Sequence, residues 1–281
     1  MKWKILPFIL LLVIVITLPT FLYIENSKES NNYLVNQTQI SLWEDNKSPK
    51  ANLVAHSGGE YNGLTYTNSL EALNHNYEKG FRYFEIDFHW TSDEELVATH
   101  NWDNIIDNYF KLEKQESYTL EEFKEAEMKY NLTQLTFEDV ASWLEKHPDA
   151  YLITDVKSNN SKALKEVFPK YPQIMDNIIH QAMSFEEFKL AQELGYKNLI
   201  LTLYREYFRD EDVIEFAKEN DNLLGVTMHY EEGREELPSK LEDLGIFSFV
   251  FTVNDKDLMK ELEDNYVDGF YTDSLTPKQV N

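Results

Sequence analysis

The chain has 281 residues, 42 % of them hydrophobic, enough for one large α/β domain or two small ones and too many for wholesale disorder. It has no cysteine, which removes disulfides, thiolate metal sites, a cysteine nucleophile and lipid attachment through an N-terminal cysteine. With 50 acidic against 26 basic residues the net charge is −24, so nucleic acid is excluded as a partner, an anionic membrane surface repels the domain, and an anionic substrate needs locally supplied positive charge.

Lys2 and Lys4 precede Ile5 to Ile24, a stretch without a charge. At about 1.5 Å per residue it spans roughly 30 Å of hydrocarbon. It exceeds the apolar region of a secretory signal, and Thr17 to Ile24 offers no small-x-small cleavage site. The expectation is an uncleaved transmembrane anchor over 1–24, with a cytoplasmic N-terminus and the rest of the chain extracellular. The alternatives are a signal that is cleaved, giving a secreted protein, and a buried core helix. Residues 25–50 are polar and Asn/Ser-rich and read as a juxtamembrane spacer.

From residue 51 to 281 strand and helix patterns alternate. Strands are expected over 52–56, 83–88, 151–156, 177–182, 198–203, 223–228, 247–252 and 268–272. Helices are expected near 67–79, 136–147, 160–169, 184–194, 210–220, 234–243 and 255–264, with Asn68-x-x-Glu71, Thr136-x-x-Asp139 and Ser184-x-x-Glu187 as capping-box-like starts. Eight such units predict an α/β fold, a TIM (β/α)₈ barrel with a truncated or missing last helix. A doubly wound open sheet competes, but its Gly-rich first turn is absent. One segment breaks the rhythm. After Asp87 the chain makes a hairpin, turning at Ser92 to Glu95 and returning through Leu96 to His100. Residues 101–134 then form an insertion after the second strand, placed over the C-terminal mouth.

Strand alternation puts Glu85 and Asp87 on one face, with Phe84, Ile86 and Phe88 on the other. Two carboxylates side by side need a cation, a shared proton or a nearby base. His56 ends the first strand beside Gly58-Gly59, and the hairpin returns His100 to the level of Asp87. Asp155, at the end of the adjacent strand, supplies a third carboxylate and completes an all-oxygen set suited to Mg²⁺ or Ca²⁺. Lys157 shares its face and is placed to contact an anionic substrate. Taken singly, His56 reads as a packing histidine and Asp155–Lys157 as an ordinary ion pair. His229 with Tyr230, and His180, are further candidates at the mouth, while His89 reads as a solvated hairpin residue. Asn68 and Asn254 read as helix caps, and Tyr204 to Phe208 as core packing or an apolar wall.

These motifs resemble the glycerophosphodiester phosphodiesterase family, part of a larger group with phosphatidylinositol-specific phospholipases C and sphingomyelinase D-like enzymes. The carriers, in order, are Ala55-His56-Ser57-Gly58, Thr67-Asn68-Ser69, Glu85-Ile86-Asp87, Thr99-His100-Asn101, Asp155-Val156-Lys157, Phe251-Thr252-Val253-Asn254 and Asp268 to Asp273. The resemblance implies a TIM barrel, one divalent metal on Glu85, Asp87 and Asp155, and His56 and His100 as an acid–base pair. Lys157, His229 and Phe251 are the expected substrate-binding residues. The resemblance also exposes departures. Ser57 stands where the family usually has Arg, Asp155 where it usually has Glu (the shorter residue of the sphingomyelinase D-like branch), Asn101 where it has Asp, and Phe251 where it has Trp. The implied activity is hydrolysis of glycerophosphodiesters or glycerol-phosphate polymers. A phospholipase acting on intact lipid headgroups and a non-catalytic barrel that binds a polymer or partner are the alternatives.

Overall fold

The structure is a computed structural model that describes residues 52–103, 108–112 and 115–280. The expected anchor (1–24), the spacer (25–50) and part of the insertion lie outside the described residues. Among the described residues no helix is long and apolar enough to cross a membrane.

Nine strands form one sheet: β1 (Asn52–Ala55), β2 (Tyr83–Trp90), β3 (Leu96–Ala98), β4 (Tyr151–Val156), β5 (Ile178–Ala182), β6 (Leu199–Thr202), β7 (Leu223–His229), β8 (Phe247–Phe251) and β9 (Gly269–Thr272). β1 pairs in parallel with both β2 and β9, so eight strands close into the barrel expected from the sequence. β3 pairs antiparallel with β2, with Phe88 opposite Ala98. That is the hairpin, and Thr99 N–H donates to the Asp87 carbonyl at 3.0 Å, which carries His100 back to the level of Asp87.

Helices α1 (Leu70–Glu78), α3 (Phe137–Lys146), α4 (Phe185–Glu193), α5 (Asp210–Glu219), α6 (Leu237–Glu242) and α7 (Lys256–Glu263) cover the barrel, and α2 (Leu120–Glu125) belongs to the insertion. The expected helix over 160–169 is instead a short α-turn, a π-turn at Ala163–Val167 and a 3₁₀ turn at Phe168–Lys170 that contains Pro169, and Pro172 opens a separate 3₁₀ segment. α3 shows how sequence sets packing. Thr136 and Asp139 cap its start reciprocally, and Phe137, Val140, Ala141 and Leu144 recur at helical spacing on its buried face. Phe137 meets Phe88 at 5.3 Å and Trp143 meets Phe84 at 5.2 Å, so the outward residues of β2 form the helix contact and its inward residues are free for the site. Truncating Phe137 to Ala removes a contact of the kind that costs about 3–5 kcal/mol.

A second apolar cluster (Val97, Trp102, Phe110, Tyr118, Phe123 and Met128) is the core of the insertion. It packs on Tyr61 and Leu64 of the loop after β1, and the Tyr109 hydroxyl donates to the Thr65 carbonyl at 2.6 Å. The insertion is thereby fixed to a loop on the side of the barrel where the strands end.

Candidate active site

The site begins at the turn after β1. Gly59 (φ +84°) lies against Asn76, and a Cβ there would sit 2.6 Å from Asn76 Nδ2, an atom that also donates to the Gly58 carbonyl. Ser57 is in the left-handed region at φ +50°. This turn aims its N–H at Glu85 Oε2 (2.8 Å) and its hydroxyl at Asp87 Oδ2 (2.6 Å). Asn68, also left-handed, clamps Asp87 from the other side: Nδ2 donates to Oδ2 at 2.9 Å, and Oδ1 accepts from Asp87 N–H at 3.0 Å. Ser69 takes the helix cap in its place, accepting from Ala72 N–H.

Asp87 and Asp155 are in register on β2 and β4, and Lys157 bridges them, its Nζ 2.5 Å from Asp87 Oδ1 and 2.6 Å from Asp155 Oδ2. The Tyr204 hydroxyl donates to Asp155 at 2.9 Å. Glu85, Asp87 and Asp155 each offer an oxygen within 4.8 Å of the others, all three are buried, and Glu85 Oε1 has no hydrogen-bond partner. Three carboxylates with one ammonium remain net negative, and an orphaned buried oxygen costs free energy until something meets it. This all-oxygen set fits a hard divalent cation.

His56 Nδ1 lies 2.8 Å from Asp273 Oδ1, and its Nε2 lies 3.9 Å from Glu85 Oε2. Asn254 braces Asp273, donating to Oδ2 at 2.8 Å and accepting from the backbone N–H of Asp273 and Ser274. The cap expected of Asn254 falls to Asp255. His100 Nδ1 is 2.9 Å from Asn101 Nδ2.

The charges divide the titratable groups. Burial and then the Asp87 charge push the Glu85 carboxyl above the usual range. Burial would raise Asp87 as well, but Lys157, His100 and His56 outweigh it and hold that carboxyl well below the usual range. Burial works against a charged His56, yet its bond to Asp273 and the charges of Glu85 and Asp87 prevail and raise it to about 9. His100 moves the other way, lowered chiefly by burial. Two imidazoles shifted in opposite directions beside one cavity can hold and pass a single proton.

The cavity has a volume of about 200 Å³. His56, His100, Glu85, Asp155 and Lys157 line it, as does Phe251, so the structure brings these predicted residues together. Asp87 lies directly behind Lys157. His229 is on the rim rather than in the cavity wall: its side chain is 45 % exposed and its ring touches Phe251 at 5.8 Å. His180 is not at the mouth. It is in register with Thr154 and hence with Ile86, so it points outward between Phe168 and Tyr196. Sequence reasoning missed Tyr66, gave Ser57 and Asp273 no contact of their own, and left Tyr204 as core packing or an apolar wall. Asp273 carried a usable signal, because a closed barrel makes β9 the neighbour of β1.

The sequence profile described as the Glycerophosphoryl diester phosphodiesterase family matches residues 56–276. Together with the barrel, this defines the protein's class as a phosphoric diester hydrolase. The chain belongs to the glycerophosphoryl diester phosphodiesterase family. No curated protein matches the sequence. Among solved structures, a glycerophosphodiester phosphodiesterase from Parabacteroides distasonis is similar at 24 % identity, covering 80 % of this chain and 93 % of that one, with a TM-score of 0.64. The glycerophosphodiester phosphodiesterase of Thermotoga maritima is similar at 21 % identity, with 79 % and 94 % covered and a TM-score of 0.59. An Oleispira antarctica phosphodiesterase, in complex with the product sn-glycerol-3-phosphate, is similar at 15 % identity, with 80 % and 94 % covered and a TM-score of 0.62. At these identities the likeness shows the shared fold.

Proposed function

We propose that the protein is a divalent-metal-dependent phosphodiesterase that hydrolyses glycerophosphodiesters, with His56 and His100 as its acid–base pair. The observation that carries this reading is the meeting, at one cavity, of two imidazoles with three buried carboxylates, one of which has an unpaired oxygen. Glu85, Asp87 and Asp155 are the proposed ligands of one Mg²⁺ or Ca²⁺ ion. When bound, the ion supplies charge that neutralises the phosphodiester. Lys157 adds positive charge on the cavity wall. One imidazole takes a proton from the attacking water as its oxygen bonds to phosphorus. The other gives a proton to the departing alkoxide oxygen, so a phosphomonoester and an alcohol leave. Asp273 orients His56 through Nδ1 and leaves Nε2 for this exchange. The product bound in the Oleispira phosphodiesterase supports sn-glycerol-3-phosphate as the retained half.

The reading is tested by incubating the protein with glycerophosphocholine and related diesters with Mg²⁺, Ca²⁺ or a chelator, beside His56→Ala. Cation-dependent release of alcohol that His56→Ala lacks is expected. Turnover indifferent to both treatments would sink the mechanism. The N-terminal stretch supports a second proposal, resting on sequence alone: residues 1–24 anchor the protein in the cell membrane with the barrel outside. External protease should then release an active fragment from intact cells, and full protection of the barrel would refute the topology.

A further inference from the structure

Tyr66 is the residue at this site for which neither the carboxylate cluster nor the proton pair accounts. Its ring meets the His56 imidazole at 4.8 Å with an interplanar angle of 79°, and the His100 imidazole at 5.4 Å and 88°. Among the described residues no other ring touches both. Among the described residues each imidazole has one hydrogen bond, on Nδ1, to Asp273 for His56 and to Asn101 for His100, and His56 Nε2 also faces Glu85 Oε2 from 3.9 Å. A single hydrogen bond fixes the direction of a ring nitrogen and leaves the ring free to turn about that bond. A perpendicular aromatic contact removes that freedom, because edge and face must meet in a defined orientation.

The Tyr66 side chain lines the cavity together with Thr252, which lies beyond the end of β8, while its backbone belongs to the loop after β1. The ring thus reaches from that loop into the cavity and meets both imidazoles there. Its backbone is left-handed at φ +59°, a conformation that costs a tyrosine more than an asparagine or a glycine. Of its three left-handed non-glycine companions in this part of the chain, Ser57 and Asn68 hydrogen-bond the acidic cluster, while Asn62 is exposed in the loop. Backbone strain that collects around one cavity marks residues kept for what their side chains do there.

We propose that Tyr66 is a positioning residue whose ring sets the orientation of His56 and His100 together, keeping both free Nε2 atoms directed at one point in the cavity. The role belongs to the ring. This inference rests on His56 and His100 being the acid–base pair, and its test separates the two ideas. Full-length wild type, Tyr66→Phe and Tyr66→Leu are compared in two ways. Steady-state hydrolysis of glycerophosphocholine should show Tyr66→Leu losing about 100-fold in kcat with KM within threefold, since misplacing a catalytic group by about an ångström costs that much. Tyr66→Phe should stay within about threefold of wild type on both constants. In spectra of protein labelled with ¹³C at histidine Cε1, the His56 and His100 signals should lose their ring-current displacement in Tyr66→Leu and keep it in Tyr66→Phe. Unchanged histidine signals in Tyr66→Leu, an unchanged kcat, or a Phe variant as impaired as the Leu variant would each overturn the proposal. A wild type without phosphodiesterase activity would refute the catalytic reading, and the histidine spectra would still decide whether Tyr66 orients the two rings.

Discussion

His56 and Asp273 are 217 residues apart in sequence, yet His56 Nδ1 and Asp273 Oδ1 are 2.8 Å apart. Barrel closure produces the contact, because β1 and β9 are hydrogen-bonded neighbours with Ala55 opposite Thr272. The pairing fixes Nδ1 as the tethered nitrogen and raises His56 against the effect of burial. Asp273→Asn keeps the shape, but its amide nitrogen can no longer accept a proton from Nδ1, so the imidazole is free to take the wrong tautomer. We expect kcat to fall by about 10² or more, the usual worth of a positioned proton-transfer group, with little change in melting temperature. A variant of near wild-type kcat would show that the contact is only structural.

Lys157 neutralises two buried carboxylates at once, from 2.5 and 2.6 Å. Burial opposes its charge, but Asp87 and Asp155 hold its ammonium above the usual lysine range. Lys157→Met leaves those carboxylates uncompensated, and breaking a buried pair from one side costs about 3–5 kcal/mol. Urea unfolding in chelator should register that loss, and a divalent cation should restore part of it. Equal stability of variant and wild type in chelator would contradict this role.

Glu85 gives a stability prediction with a defined sign. Its folded carboxyl is raised above its unfolded value, chiefly by burial. The protonated form is therefore the one the fold favours, and that contribution is lost as pH rises through the folded value. Glu85→Gln is neutral at every pH, so without metal its unfolding midpoint at pH 8 should exceed that of wild type. A cation at 100 times its dissociation constant should stabilise wild type by about 2.7 kcal/mol, and Glu85→Gln by much less. Calorimetry with and without Mg²⁺ or Ca²⁺ measures both, and an undiminished cation effect in the variant would remove Glu85 from the ligand set.

His180 sets an acid limit on the fold. It is 2 % exposed, neither ring nitrogen has a partner, and burial lowers it to about 3. Its unfolded value is near 6.5, so its neutral form contributes fully above pH 6.5, and that contribution is lost progressively as pH falls toward 3. His180→Phe retains a flat ring between Phe168 and Tyr196 without the proton. The stability gap between the variant and wild type should widen by about 2 kcal/mol between pH 6.5 and 5, as one pH unit of unmatched protonation is worth about 1.4 kcal/mol. A gap that stays constant would mean that His180 is protonated in the folded protein.

Strand positions were legible because buried parallel strands read as apolar runs between turns, and alternation alone placed Glu85 and Asp87 together. The hairpin followed from its turn and brought His100 home. What stayed hidden depended on tertiary geometry. Asn68 and Asn254 have the composition of helix caps and stand one residue before the true caps, Ser69 and Asp255. Only the fold shows that they grip Asp87 and Asp273. His180 was misplaced for a simpler reason: counted by twos along β5, it shares the outward face. Tyr204 and Tyr66 lie on loops, where no period assigns a face.

His56, His100 and the Glu85, Asp87 and Asp155 cluster are proposed to form one hydrolytic site. Release of glycerol-3-phosphate from glycerophosphocholine tests it directly, measured for wild type, His56→Ala and His100→Ala with a divalent cation and again in chelator. Wild type should release it only with the cation, and each variant should lose about 10² or more. Release that persists in chelator, or that survives either substitution at the wild-type rate, would contradict it.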